Sequence, residues 1–261
     1  MRSHTISFRT PNSALRIGLL MGLHTAEAIV LRCYPFRETS VTLTCLTEPF
    51  GKLKGLIKGL RRQPNRYRSP MEPLTVNRIV FYETRASSLH LISQCELLAS
   101  LSGLQRDLDT MRMAALCVDL VDTLVPLEDP QPAIYRLLKR TLGQLALGGV
   151  EGAAATRAHF IVRLLRLAGF QPQLDACSGC GGRVQAAAHW SARQGGLLCP
   201  GCLHEDPRAE PTTPDVLDAI AVLSETDQPP QLADALIAPL GRRLDEFLRW
   251  RLDRPLRTLA T

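Results

Sequence analysis

Cys177 and Cys180, followed after eighteen residues by Cys199 and Cys202, make two C-x-x-C pairs. Four thiolates at this spacing point to tetrahedral binding of one zinc ion. Each pair can close a tight turn that aims two sulfurs at the same point, and Gly179, Gly181, Gly182 and Gly201 let the backbone bend there without a Cβ clash. Four sulfurs fill the coordination shell and leave no position for an activated water. The expected role is therefore structural, with one Zn2+ per chain. Other readings of the cysteines fit less well. A disulfide framework suits short secreted chains, whereas Cys33, Cys45, Cys95 and Cys117 are scattered among apolar residues. A redox C-x-x-C would suit either pair alone and predicts a reactive thiolate of low pKa. The zinc deaminase pattern requires a proline before the first cysteine and an upstream H-x-E, but Leu198 precedes Cys199. His189 and His204 lie close enough in sequence to substitute as ligands, although a solvated loop histidine explains them as well.

A second chemistry lies in the charge. Up to residue 100, 14 Lys and Arg stand against 6 Asp and Glu, and beyond it 17 stand against 19, so the net +6 belongs to the first hundred residues. Within Gly51 to Arg68, seven cations (Lys52, Lys54, Lys58, Arg61, Arg62, Arg66 and Arg68) occur without one acid. Uncompensated like charges repel, and such a run attracts polyanions, of which phosphate backbones are the commonest in the cell. Flexible Lys and Arg suit phosphate contacts better than base readout, and Gly59, Pro64 and Pro70 suggest a mobile loop. Tyr34, Phe36, Phe50, Tyr67, Phe81 and Tyr82 are candidates for stacking on bases, with Tyr67, between Arg66 and Arg68, the first choice. Phe81 and Tyr82 are neighbours in a strand, so one of them should face outward.

These groups need elements to position them. Glu27 to Cys33, Val41 to Thr47, Lys52 to Lys58, Val76 to Tyr82 and Leu89 to Cys95 read as five short strands. In the third, alternation puts Lys52, Lys54 and Lys58 on one face with Leu56, and Leu53 and Ile57 opposite. Five strands in about seventy residues suggest a small antiparallel barrel, and an OB-fold is the economical choice. Helical periodicity follows in three segments: Met113 to Leu124, Ile134 to Leu145, and Phe160 to Ala168, the last ended by Gly169. Thr213-Pro214-Asp215 reads as an N-cap with proline at the first helical position, and Leu236 to Leu248 form a final helix. Asp119, Asp122, Asp245 and Glu246 fall on polar helix sides, while Arg163 and Arg166 lie on a mainly apolar helix and could contact an anion. The fold class is thus α+β and multidomain. A basic, disordered extension is expected over 1–22 with Met21 as an alternative start, the barrel over 23–100, a helical domain over 101–173 and 205–261, and the zinc module inserted at 174–204.

Composition is that of a globular protein, and nothing approaches the eighteen or more consecutive apolar residues of a membrane span. The expectation is a cytoplasmic protein without membrane contact. Phosphate-loop, dinucleotide, H-E-x-x-H and G-x-S-x-G motifs are absent, which favours a binding protein over an enzyme.

This order of features resembles the family of the bacterial DNA repair protein RecO. Local sequence agrees: Arg37-Glu38-Thr39-Ser40 after the first strand, Gly51-Lys52 opening the third, Lys58-Gly59-Leu60-Arg61-Arg62 closing it, and Met71-Glu72-Pro73-Leu74 before the fourth. The resemblance covers residues 24 to about 250. It implies a nucleoid-associated recombination mediator that does no covalent chemistry. Such a protein binds single- and double-stranded DNA, anneals complementary strands, and with RecR helps load RecA onto DNA coated by the single-stranded-DNA-binding protein, whose acidic tail it contacts. By position, Lys52, Lys54, Lys58, Arg61 and Arg62 match the family's basic barrel segment, and Arg37 matches its first loop. An RNA-binding OB-fold protein of translation or RNA processing is the alternative, since RNA presents the same phosphates.

Overall fold

The computed structural model describes residues 22–63, 67–84, 87–148, 152–184 and 188–252. Arg66 and, apart from Gly22, the expected extension lie outside them. Strands β1 (Leu23–Phe36), β2 (Ser40–Thr47), β3 (Gly51–Ile57), β4 (Thr75–Tyr82) and β5 (Leu89–Ser100) close into a barrel of order β1-β2-β3-β5-β4. Four seams are antiparallel and the β3–β5 seam is parallel. The reason is topological: an odd number of strands cannot alternate in direction around a closed ring. The result is the OB-fold.

Ala28, Val30, Leu43, Cys45, Leu53, Ile57, Ile79 and Phe81 fill the barrel. β1 is buried on both sides. Ala28 and Val30 face the interior, while Ile29 and Leu31, with Leu46 and Val76, join a second core that belongs to the helices. A register shift between Val30 and Arg32 marks the bulge that lets this long strand serve both.

Helices α1 (Leu108–Leu124), α2 (Pro132–Gly148), α3 (Ala153–Leu167), α4 (Pro214–Glu225) and α5 (Asp234–Arg251) form the second layer. α3 packs against each of the others, which explains its wide apolar surface of Ala158, Phe160, Ile161, Val162, Leu164 and Leu165. It ends at Gly169 (φ 77°), where the Phe170 N–H reaches back to the Leu165 carbonyl at 2.7 Å. Thr213 precedes α4 with extended backbone, although its side chain makes no capping bond. Between α3 and α4 lies a small sheet of β6 (Gln173–Cys177), β8 (Gly196–Leu198), β7 (His189–Ser191) and β9 (Glu210–Pro211), in that order. It extends past residue 204, and Trp190, Ala192 and Leu197 insert into the helical core, with the Trp190 ring 5.8 Å from Phe247. Among the described residues no helix is long and apolar enough to cross a membrane.

Candidate nucleic-acid interface and metal centre

The β2–β3 face carries the charge question. Register places Arg32, Thr44 and Lys54 in one row across β1, β2 and β3, and Tyr34, Thr42 and Leu56 in the next, with Phe36 opposite Ser40 beyond them. Lys54 and Lys58 are exposed along this face, as alternation requires. The turn after β1 holds Arg37 at φ 55°, its guanidinium 5.4 Å from the Phe36 ring centroid. The Arg61 N–H donates to the Thr39 carbonyl at 3.0 Å, tying the segment after β3 to that turn. Gly59, at φ 78°, makes the bend, and its carbonyl accepts from Arg62 and Gln63. Phe36, Arg37, Glu38, Leu56, Lys58 and Gly59 are among the residues that line a groove of about 550 Å³.

Exposed Arg37, Lys54, Lys58, Arg61 and Arg62 have no carboxylate within 4.0 Å among the described residues. Other cations of the barrel are compensated. Arg78 lies 2.7 Å from Glu96, Arg68 lies 4.0 Å from the same carboxyl, and Lys139 of α2 pairs with Glu27. On the β4–β5 side Arg68 and Arg78 thus share the one Glu96 carboxylate, while on the β2–β3 side five cations stand near the single exposed Glu38.

Three of the sequence-predicted contacts sit elsewhere: Arg68, on the β4–β5 side with Glu96, and Lys52 and Tyr67. Lys52 shares the face of Lys54 but is buried, because the end of α1 packs against it. Its Nζ donates to the Asp122 carbonyl at 2.6 Å and lies 3.7 Å from the Asp122 carboxylate. Tyr67 is a core residue and not a stacking platform: it is 7% exposed, and its hydroxyl donates to the Lys58 carbonyl at 2.7 Å. The reason is that Tyr67, Met71 and Leu60 plug the barrel beneath the β3–β4 connection. That connection is anchored where described, since Arg68 also exchanges backbone bonds with Cys95 and Leu97. Of the remaining aromatics, Phe81 is buried beside Phe50, while Tyr34 (44%) and Phe36 (37%) are exposed.

Sequence reasoning missed the ionic joint that holds the barrel to the helices. Arg32 binds Asp119 and, at 3.0 Å, Asp122, with Asp119 nearly inaccessible. These acids are not solvated. Only pairing across 87 residues reveals the link, which periodicity within one helix cannot show. Arg163 and Arg166 likewise cap the C-terminus of α4: Arg163 donates to the Ser224 carbonyl at 2.7 Å and Arg166 pairs with Glu225. Asp245 pairs with Arg157.

In the cysteine module, Cys177, Cys180, Cys199 and Cys202 bring four sulfurs within 4.8 Å of one another. The first turn closes through Gly181 (φ 72°), whose N–H donates to the Cys177 carbonyl at 2.8 Å, and the second through the Cys202 N–H to the Cys199 carbonyl at 3.0 Å. Cys180 and Cys199 sulfurs lie 3.9 Å apart. A disulfide needs about 2.05 Å, whereas metal–sulfur bonds of about 2.3 Å in a tetrahedron set sulfurs roughly 3.8 Å apart. The donor set fits a tetrahedral thiophilic ion. Burial raises the Cys177 thiol, but N–H groups of Cys180, Cys199 and Gly179 outweigh it and hold the group below its ordinary value. The Cys199 N–H donates to that sulfur at 3.3 Å. His204 turns Nδ1 to the Gly201 carbonyl at 3.1 Å, outside the cluster. Cys45, Cys95 and Cys117 are packed in apolar cores, where burial pushes their thiols up to about 12; they are inert filling.

Comparison with known proteins bears on both halves. The family described as Recombination protein O N terminal matches residues 21–101, and Recombination protein O C terminal matches 105–260. The chain belongs to the RecO family. A DNA repair protein RecO of Desulforudis audaxviator is 31% identical over 244 residues, covering 92% of this chain and 96% of that one. The RecO of Moorella thermoacetica is 33% identical over 249 residues, covering 92% and 90%. That of Koribacter versatilis is 34% identical over 179 residues. In this RecO-family chain the boundary between the two matched parts falls in the segment joining β5 to α1.

Proposed function

We propose that this RecO-family protein is a DNA-binding recombination mediator without covalent chemistry. It takes up single- and double-stranded DNA on the outer β2–β3 face, anneals complementary strands, and acts with RecR to load RecA onto single strands coated by the single-stranded-DNA-binding protein, whose acidic tail it contacts. Its place is the nucleoid. The observation that supports this reading is the set of five exposed cations, Arg37, Lys54, Lys58, Arg61 and Arg62, left uncompensated in a barrel whose other described cations have carboxylate partners. Cations of this kind screen two phosphate backbones at once, which lowers the repulsion between strands as they approach. They release counterions on binding and need no nucleotide or metal to do so.

Zinc is the ion proposed for the four cysteines, bound as a structural crosslink between the turns at 177–182 and 199–202. Filled by four thiolates, the site gives no open position for water.

The test is charge reversal of Lys54, Lys58 and Arg61 to Glu. The variant should keep the wild-type melting curve and lose annealing of complementary oligonucleotides, with a matched RNA pair run alongside. Normal annealing by that variant would move the DNA site elsewhere, and tighter binding of RNA than DNA by the wild type would favour an RNA-processing role.

A further inference from the structure

We infer that Tyr34 and Phe36 form a base-stacking pair, which makes the β2–β3 face a site for single strands with unstacked bases. The inference rests on the DNA-binding reading above and names the form of DNA that this face selects.

Both residues lie on the same outward side of β1, two positions apart, opposite Thr42 and Ser40 of β2. Among the described residues they are two of the large hydrophobic side chains with substantial exposure, at 44% and 37%. The ring of Phe36 opens on the groove that Leu56 and Lys58 line, and the Arg37 guanidinium lies 5.4 Å from its centroid. A cation at a ring beside Lys58 means that a base on the ring has its phosphate within reach of positive charge.

Spacing decides which DNA form fits. Two residues along a strand advance about 6.8 Å, roughly twice the 3.4 Å between stacked nucleotides of one duplex strand. Consecutive bases can meet both rings only when they are pulled apart. A duplex, whose bases remain stacked inside, can use the cations of this face but not the rings. During annealing, the face would hold one strand with base edges turned out and phosphates neutralised, a form ready to pair.

The experiment compares Tyr34→Ala, Phe36→Ala and the double variant with wild type, using a single-stranded oligothymidine and a duplex of equal length at one salt concentration. Each single change should weaken the oligothymidine complex about 5- to 150-fold, as expected for one lost stack, with duplex affinity and the salt slope unchanged. Phe36→Trp adds a direct readout: its indole emission should be quenched by oligothymidine and not by duplex. Equal losses on both DNA forms, or no loss together with no quenching, would overturn the inference while wild-type binding still stood. If the wild type itself ignored DNA, the underlying reading would fail first.

Discussion

Lys52 and Lys54 are two residues apart on one face of β3 and have opposite fates. Lys54 stays in solvent, whereas Lys52 is buried against Asp122. Strand alternation makes their shared face legible in the sequence. What separates them is the end of α1 packed against Lys52, a contact across seventy residues that no local pattern carries. Tyr67 teaches the same lesson, because an aromatic among arginines looks like a stacking residue until its core neighbours are known. The buried joint of Arg32, Asp119 and Asp122 sets the first prediction. Asp119→Ala leaves Arg32 with one carboxylate in a largely dry site, so stability should fall by about 3 kcal/mol, the low end for a broken buried pair. Urea unfolding measures this, and a loss below about 1 kcal/mol would show the joint to be a solvated pair.

At the scale of elements, Gly51 opens β3 at φ 68° and sits against the α1–α2 loop, where an added Cβ would come within 2.1 Å of the Asp129 carbonyl oxygen. Gly51→Ala therefore combines left-handed strain of about 1–2 kcal/mol with a backbone collision. It should destabilise the protein and loosen the barrel from the helices, seen as separate unfolding transitions of the two layers; a single transition at the wild-type midpoint would refute this. The cysteine turns are the other element whose geometry decides an outcome. Cys177→Ser removes one of four thiolates, so zinc content should fall from one per chain and melting should drop, because metal binding at such a site is folding free energy. DNA affinity, which the proposed function assigns to the barrel, should hardly change. Unaltered melting with zinc retained would contradict the assignment. Both turns were readable from C-x-x-C spacing and glycine placement alone. The packing of Trp190 and Leu197 into the helical core was not, since a three-residue strand leaves no periodicity to read.

For the whole molecule, charge is partitioned by fold. Among the described residues, the cations at the barrel–helix joint and on the β4–β5 side have carboxylate partners, some drawn from the helical layer, whereas Arg37, Lys54, Lys58, Arg61 and Arg62 on the β2–β3 side have none. The barrel and the helical layer were legible as classes, because five apolar strand segments and the helical stripes have distinct periods. The parallel seam and the docking of the two layers were not, since both follow from closure and long-range pairing. If DNA binding is phosphate neutralisation by Arg37, Lys54, Lys58, Arg61 and Arg62, the affinity for a single-stranded oligonucleotide should fall with salt at a log–log slope of roughly −3.5, at about −0.7 per contact. The Lys54, Lys58 and Arg61 charge-reversal variant should lose most of that slope along with its affinity. A wild-type slope near zero, or a variant that keeps the wild-type slope, would contradict the account.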